Sequence, residues 1–164
     1  MKSRIKEDDT SVPYYYNEYW YMRKYEKGKD YPIYLRKYKS LDANEELLVD
    51  VNELAKGYSY FQLRGISISP DNRKMAYAVD TLSRRIYTIK IKNLETGEMY
   101  NEQIRNTTGG STWANDNKTL FYSSREDVTL RVNKIHKHKL GSEVSEDELV
   151  YEEKDKEFST GIYK

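Results

Sequence analysis

The 164-residue sequence contains no cysteine, so neither a disulfide framework nor a thiolate-ligated metal site is open to it. It has no run approaching ~18 consecutive apolar residues, which excludes a helical membrane span. The stretch Met1-Lys2-Ser3-Arg4-Ile5-Lys6-Glu7-Asp8-Asp9 lacks the apolar core of a signal peptide. With cysteine absent as well, a cytoplasmic protein is expected. Charge of one sign is not in excess: 28 Lys and Arg face 27 Asp and Glu, for a formal net charge of +1. A protein built to neutralise a phosphate backbone would be clearly basic, and an acidic disordered tail clearly negative. We therefore expect no nucleic-acid partner and no membrane.

What the chain does have is tyrosine, 17 residues of it against 3 phenylalanines. A tyrosine ring packs on a pleated sheet while its hydroxyl reaches water or a backbone carbonyl. The composition predicts a β-rich protein. Segment Tyr14–Tyr25 is almost solidly aromatic, and Tyr31–Lys37 resumes after the polar break Glu26–Asp30. The two read as strands of a hairpin, and the tyrosines as sheet packing rather than a ligand platform. Leu47–Asp50 reads as a short strand. The spacing of Asp50 and Glu53 resembles a capping box, so Val51–Lys56 is read as one or two helical turns ending at Gly57.

From residue 61 the chain repeats. Ile66–Tyr77 is strand, polar turn, strand, and Ser111–Tyr122 does the same about 45 residues later. Ile68 maps to Trp113, Asp71-Asn72 to Asp116-Asn117, Met75 to Leu120 and Tyr77 to Tyr122. Asp and Asn bond their own backbone and tolerate tight-turn geometry, so they set the corner between antiparallel strands. Each unit continues into a third strand (Arg85–Leu94, Leu130–Leu140), a Gly-containing turn and a fourth strand, Glu148–Glu152 in the second unit. Four short strands repeating at this interval point to propeller blades. The fold class is therefore all-β: a partial β-propeller of about three blades of four antiparallel strands. An incomplete first blade region occupies 1–60, blade-like repeats occupy 61–106 and 107–155, and the start of a further blade is expected at 156–164. Propellers normally need ~4 blades or more, so the chain reads as a fragment. In such a blade Trp113 points into the wedge between neighbours.

Little in the chain performs chemistry. No G-x-S-x-G occurs, so the nucleophile elbow of an α/β-hydrolase is absent. His136 and His138 share one face of a strand, but their neighbours Lys134, Lys137 and Lys139 oppose a cation. A solvated strand face is expected. Gly109-Gly110-Ser111 lacks the spacing of a phosphate loop and reads as a turn leading into a blade. Arg84–Lys92 reads as a half-exposed strand. No catalytic, cofactor-binding or metal-binding residue is assigned, and no cofactor is expected.

Arg4–Tyr14, Tyr19-Trp20-Tyr21, Tyr31–Tyr34, Asp50–Ala55, Ser69–Asn72 and Asp80–Tyr87 follow one another in a familiar order. They resemble the oligopeptidase B (protease II) group of the prolyl oligopeptidase family of serine peptidases, over essentially the whole chain. The resemblance implies a seven-bladed propeller capping an α/β-hydrolase domain that cleaves short peptides after Arg or Lys. The implied partners are the catalytic domain of the parent chain and short peptides containing basic residues. The family's Ser, Asp and His lie in that other domain, and no position here matches them. The implied role is a non-catalytic lid that admits short peptides and excludes folded proteins. Apart from the resemblance, a stand-alone propeller-type binding or scaffold module remains the alternative.

Overall fold

Asn17 and Glu18 both take positive φ, 46° and 67°. Two consecutive left-handed residues match the twist of flanking strands and close a two-residue hairpin. The aromatic segment expected as one strand is therefore two: β2 (Tyr14–Tyr16) folds back on β3 (Tyr19–Tyr25). The computed structural model describes residues 9–126 and 128–164; the Arg4–Asp8 part of the stretch that carries the resemblance lies outside them. The chain divides into two units, Met1–Tyr58 and Ser59–Lys164.

In the first unit, β1 (Asp9–Thr10) and β2 both pair with β3. The sheet then continues through β4 (Ile33–Tyr38) to β5 (Glu46–Asp50), all antiparallel. Register places Tyr14 opposite Tyr21 and Tyr19 opposite Tyr38. Their ring centroids lie 5.3 and 5.2 Å apart, distances at which aromatic pairs contribute beyond their buried area. Arg36 is buried on the same face, its guanidinium 4.0 Å from the Tyr19 ring centroid and 2.8 Å from Glu46. Tyr15 and Trp20 pack on the other face. Tyr21 is buried by this packing, while Tyr14, Tyr15 and Tyr16 stack on the sheet with more than half of their surface exposed.

Helix α1 (Val51–Leu54) is shorter than the expected Val51–Lys56. Asp50 caps it by accepting from the Asn52 amide at 2.8 Å, so the bond falls one residue short of the capping-box position. Asn52 meanwhile donates to the Tyr31 carbonyl, tying the helix to the loop before β4.

The second unit is a seven-stranded antiparallel meander: β6 (Gln62–Ile68), β7 (Lys74–Asp80), β8 (Tyr87–Asn93), β9 (Met99–Trp113), β10 (Thr119–Arg125), β11 (Val132–Lys139) and β12 (Glu148–Glu152). Seven strands make two four-stranded blades because β9 serves twice. Its first half pairs with β8 as the fourth strand of one blade, and its second half pairs with β10 as the first strand of the next. The fold is all-β and the architecture a partial β-propeller: among the described residues the only helical pieces are α1 and a 3-10 turn at Val144–Glu146. Residues 156–164, expected to begin a further blade, form no strand. Lys164 reaches back instead to the Trp113 carbonyl, 3.1 Å away.

The core of this unit lies between its two blades. Ala76 and Ala78 of β7, Tyr87, Ile89 and Ile91 of β8, and Ile104 of β9 meet Trp113, Leu120 and Tyr122 of the following blade. Alternation along β8 sends Tyr87, Ile89 and Ile91 inward and leaves Thr88, Lys90 and Lys92 half-buried. Of the Arg84–Lys92 stretch, Tyr87–Lys92 is thus packed strand, while Arg84–Ile86 precede it exposed and outside the sheet. Fully burying each large aliphatic side chain contributes about 1.5–3 kcal/mol.

Candidate functional site

The two blades touch most closely where β6 and the second half of β9 run side by side. A Cβ at Gly65 would lie 1.7 Å from the Gly109 carbonyl oxygen, and one at Gly109 would lie 2.9 Å from the Tyr87 ring. Both glycines have positive φ, +63° and +88°. Only glycine combines that backbone with that lack of space. Gly109-Gly110-Ser111 is therefore not a turn, as its composition suggests. It lies inside β9, where the strand leaves one blade and enters the next.

Trp113 closes the same junction. Its side chain is 2% exposed, packed in the inter-blade core, and its Nε1 donates to the Ser67 carbonyl of the preceding blade at 3.1 Å. This is the wedge position read from the repeat. The paired corners also meet, since the Asp71 amide donates to Asn117 Oδ1 at 2.8 Å. Asn72 and Asn117 hold equivalent left-handed conformations, φ 60° and 59°. Within the second corner Asp116 accepts from the Thr119 hydroxyl at 2.6 Å and from the amides of Lys118 and Thr119 at 2.9 and 2.8 Å. Those bonds hold its carboxyl at about 2, well below the usual range.

His138 is not solvated and His136 is only partly exposed, which corrects the expectation from their lysine neighbours. His138 is completely buried, and its Nδ1 lies 2.6 Å from Asp147 Oδ1. Asp147 Oδ2 accepts from the Tyr122 hydroxyl at 2.8 Å. Burial first, then that bond and the carboxylate's charge, push the Tyr122 hydroxyl well above its ordinary pKa. His136 stacks on the Tyr122 ring at 5.2 Å and meets Ser124 Oγ through Nε2 at 3.0 Å. Burial lowers its pKa; the Asp147 charge opposes that shift and the Lys134 charge adds to it. Lys137 and Lys139 fall on the opposite face, where Lys137 pairs with Glu148 at 2.8 Å.

This cluster holds a serine, two histidines and an aspartate but cannot act as a catalytic triad. Ser124 meets one imidazole and Asp147 the other, so no ring links hydroxyl to carboxylate as proton transfer requires. Among the described residues no group of three or more His, Asp or Glu is placed to hold a metal ion. Asp147 and Ser124 carried no signal in the linear sequence, and Tyr122 only its place in the repeat. The placement of Leu120 and Tyr122 opposite His138 and His136, with Ser124 two residues on along the same face, becomes meaningful only once β10 and β11 are known to be neighbours.

Residues 1–164 match the family model described as "Prolyl oligopeptidase, N-terminal beta-propeller domain". Dipeptidyl aminopeptidase BI of Pseudoxanthomonas mexicana is 40% identical over 98% of this chain and 24% of its own length. Protease 2 of Moraxella lacunata is 33% identical over 100% of the chain and 25% of its length. Oligopeptidase B from Leishmania major superposes with a TM-score of 0.91 at 34% identity, covering 98% of this chain and 23% of that one. The chain spans about a quarter of the length of the curated relatives it matches. A pair of blades locked together at Gly65, Gly109 and Trp113, matched by that model along its whole length, makes this chain a member of the prolyl oligopeptidase family and part of its N-terminal β-propeller domain.

Proposed function

We propose that the chain is a non-catalytic lid segment of a serine oligopeptidase, limiting by size which peptides reach a separate hydrolase domain, and that the parent enzyme cleaves short peptides after Arg or Lys. The observation that carries the lid reading is the blade junction. One 15-residue strand, two glycines in tight surroundings and a buried Trp113 support the reading of a stiff wall. Size exclusion needs stiffness, because a soft wall would yield to a large substrate at little cost. The cysteine-free composition supports a cytoplasmic setting. The relatives' names divide between a dipeptidyl aminopeptidase and oligopeptidase B, so the peptide's N-terminus has to be tested separately.

The test uses the longer enzyme containing this chain, given peptides of rising length with a single Arg, Lys or other residue at the cleavage site and a free or blocked N-terminus. The expected result is cleavage after Arg and Lys with either N-terminus, falling away for long and folded substrates. Trp113→Ala, which loosens the junction, should raise the rate on long substrates and leave the shortest peptide unaffected. Equal rates on long substrates in both enzymes would refute the lid; cleavage confined to free N-termini would refute the endopeptidase reading.

A further inference from the structure

The two ends of the blade pair in the second unit differ in chemistry. At one end lie the turns 69–73, 94–98 and 114–118, where the Leu94 amide donates to the Arg73 carbonyl and the Asp71 amide to Asn117. At the other end β7 passes to β8 through residues 81–86, and β10 to β11 through a loop that contains residues 128–131. Thr107 fixes both loops at this end: its register partners are Tyr87, at the start of β8, and Ser124, near the end of β10. None of the large apolar side chains exposed among the described residues lies in the three turns. The two loops hold four of them, Leu82 at 73%, Ile86 at 43%, Val128 at 93% and Leu130 at 51%. Nor are the loops slack. Buried Asp80 accepts from the amides of Leu82 and Arg85 at 2.8 and 2.7 Å. Glu126 accepts from the Leu130 amide at 3.1 Å through its carbonyl and from Arg131 at 2.6 Å through its carboxylate. Internal hydrogen bonds thus hold apolar tips out in water.

We propose that this end is the surface on which the hydrolase domain of the longer enzyme docks, with Leu82 and Val128 as apolar anchors and the exposed Arg84 and Arg85 facing acidic groups around them. The inference rests on the hydrolase domain proposed above. Apolar side chains gathered at one end and rimmed by polar ones mark a contact surface, and an apolar centre with arginine beside it is the common make-up of protein interfaces. The occupant follows from two observations. The chain spans about a quarter of the length of its curated relatives, so most of such an enzyme lies outside it. Blades stack through their sheet faces, here through Ala76, Ile89 and Trp113 among others, which leaves the strand ends as the flat surfaces of a propeller. Of the two ends, the one with exposed apolar tips gains by being covered. A second copy of the chain fits less well. A two-fold interface sets the same patch against itself, which here brings Arg84 and Arg85 toward their own copies.

Photo-crosslinking in the longer enzyme tests this, with Leu82→p-benzoylphenylalanine, Val128→p-benzoylphenylalanine and, as the control at the polar end, Thr96→p-benzoylphenylalanine. All three positions are exposed, so the core is left alone. After irradiation, mass spectrometry should map adducts from positions 82 and 128 to the hydrolase domain of the same molecule, at least tenfold more abundant than any from position 96. Equal adducts from position 96 overturn the docking, as do adducts from 82 and 128 confined to a second copy of the enzyme or to the propeller itself. Leu82→Asp combined with Val128→Asp should speed proteolytic separation of the two domains at least fivefold, and an unchanged rate overturns the anchor role. The map does not depend on which bond the enzyme cuts. Cleavage after residues other than Arg and Lys would refute the proposed specificity while adducts from 82 and 128 still support the docking. A parent chain without a hydrolase domain overturns both.

Discussion

The indole Nε1 of Trp113 donates to the backbone carbonyl of Ser67, 46 residues earlier and on the preceding blade. A side chain and a strand from successive copies of the repeat thus satisfy each other inside the wedge, where an unpaired indole N–H and carbonyl would each carry a desolvation cost.

Trp113→Ala should destabilise the second unit by about 3–5 kcal/mol, the usual cost of truncating a buried aromatic side chain. Trp113→Phe should cost less, since the ring volume largely remains and only the bond to Ser67 is lost. Urea denaturation checks both. With Trp20 first replaced by Phe, Trp113 should emit blue-shifted and resist acrylamide, and free quenching in a folded chain would reject its packed position.

Three glycines with similar φ should behave differently. Gly28→Ala at φ +76° meets open space and should cost about 1–2 kcal/mol, the left-handed penalty alone. Gly65→Ala and Gly109→Ala add contacts at 1.7 Å to backbone and 2.9 Å to a buried ring. Both should leave the two blades unable to pack, seen as loss of the cooperative melt by circular dichroism.

Asp116 sets an acid response. Its carboxyl is held at about 2 by the Thr119 hydroxyl and the amides of Lys118 and Thr119, whereas an unfolded aspartate titrates near ~3.9. A folded-state value below the unfolded one gives stability that is full above about pH 4 and is lost as pH falls toward about 2. Asp116→Asn should lower the urea midpoint at pH 7 and lose less of the remainder between pH 4 and 2. An identical acid slope in the variant would show that other carboxylates set the response.

The 164-residue chain alone should not hydrolyse an Arg-containing chromogenic peptide, because its Ser124–His136 and His138–Asp147 contacts fall on different rings. A serine-directed fluorophosphonate should leave it unlabelled. Stoichiometric labelling that tracks with turnover would contradict this.

The repeat was legible because it is written in turn chemistry. Asp71-Asn72 and Asp116-Asn117 recur with the same residue types, the two asparagines take the same left-handed backbone, and the Trp113 wedge followed from that alignment. Other features depend on what the chain meets later. Nothing local marks Asn17-Glu18 as a hairpin turn, since Glu rarely takes positive φ and no glycine is present. Gly109-Gly110 looks like punctuation, yet the glycines are there because another strand and a ring leave no space for a side chain. The lysines around His136 and His138 suggested solvent because they are close in sequence. A strand sends neighbours to opposite faces, and the partner that buries His138 arrives only with Asp147. The family's catalytic chemistry offered no motif to read, since no G-x-S-x-G occurs in the sequence.

The double duty of β9 governs where this chain can be dissected. The border between the two repeat units falls in the middle of an unbroken strand, so a break near Asn106–Gly110 would sever the hydrogen-bond ladders of both blades at once. A nick in the Leu94–Glu98 turn would leave every ladder of the unit whole. For circular permutation, split-protein reconstitution or limited proteolysis, the modular boundary is therefore the turn between β8 and β9 and not the seam of the repeat.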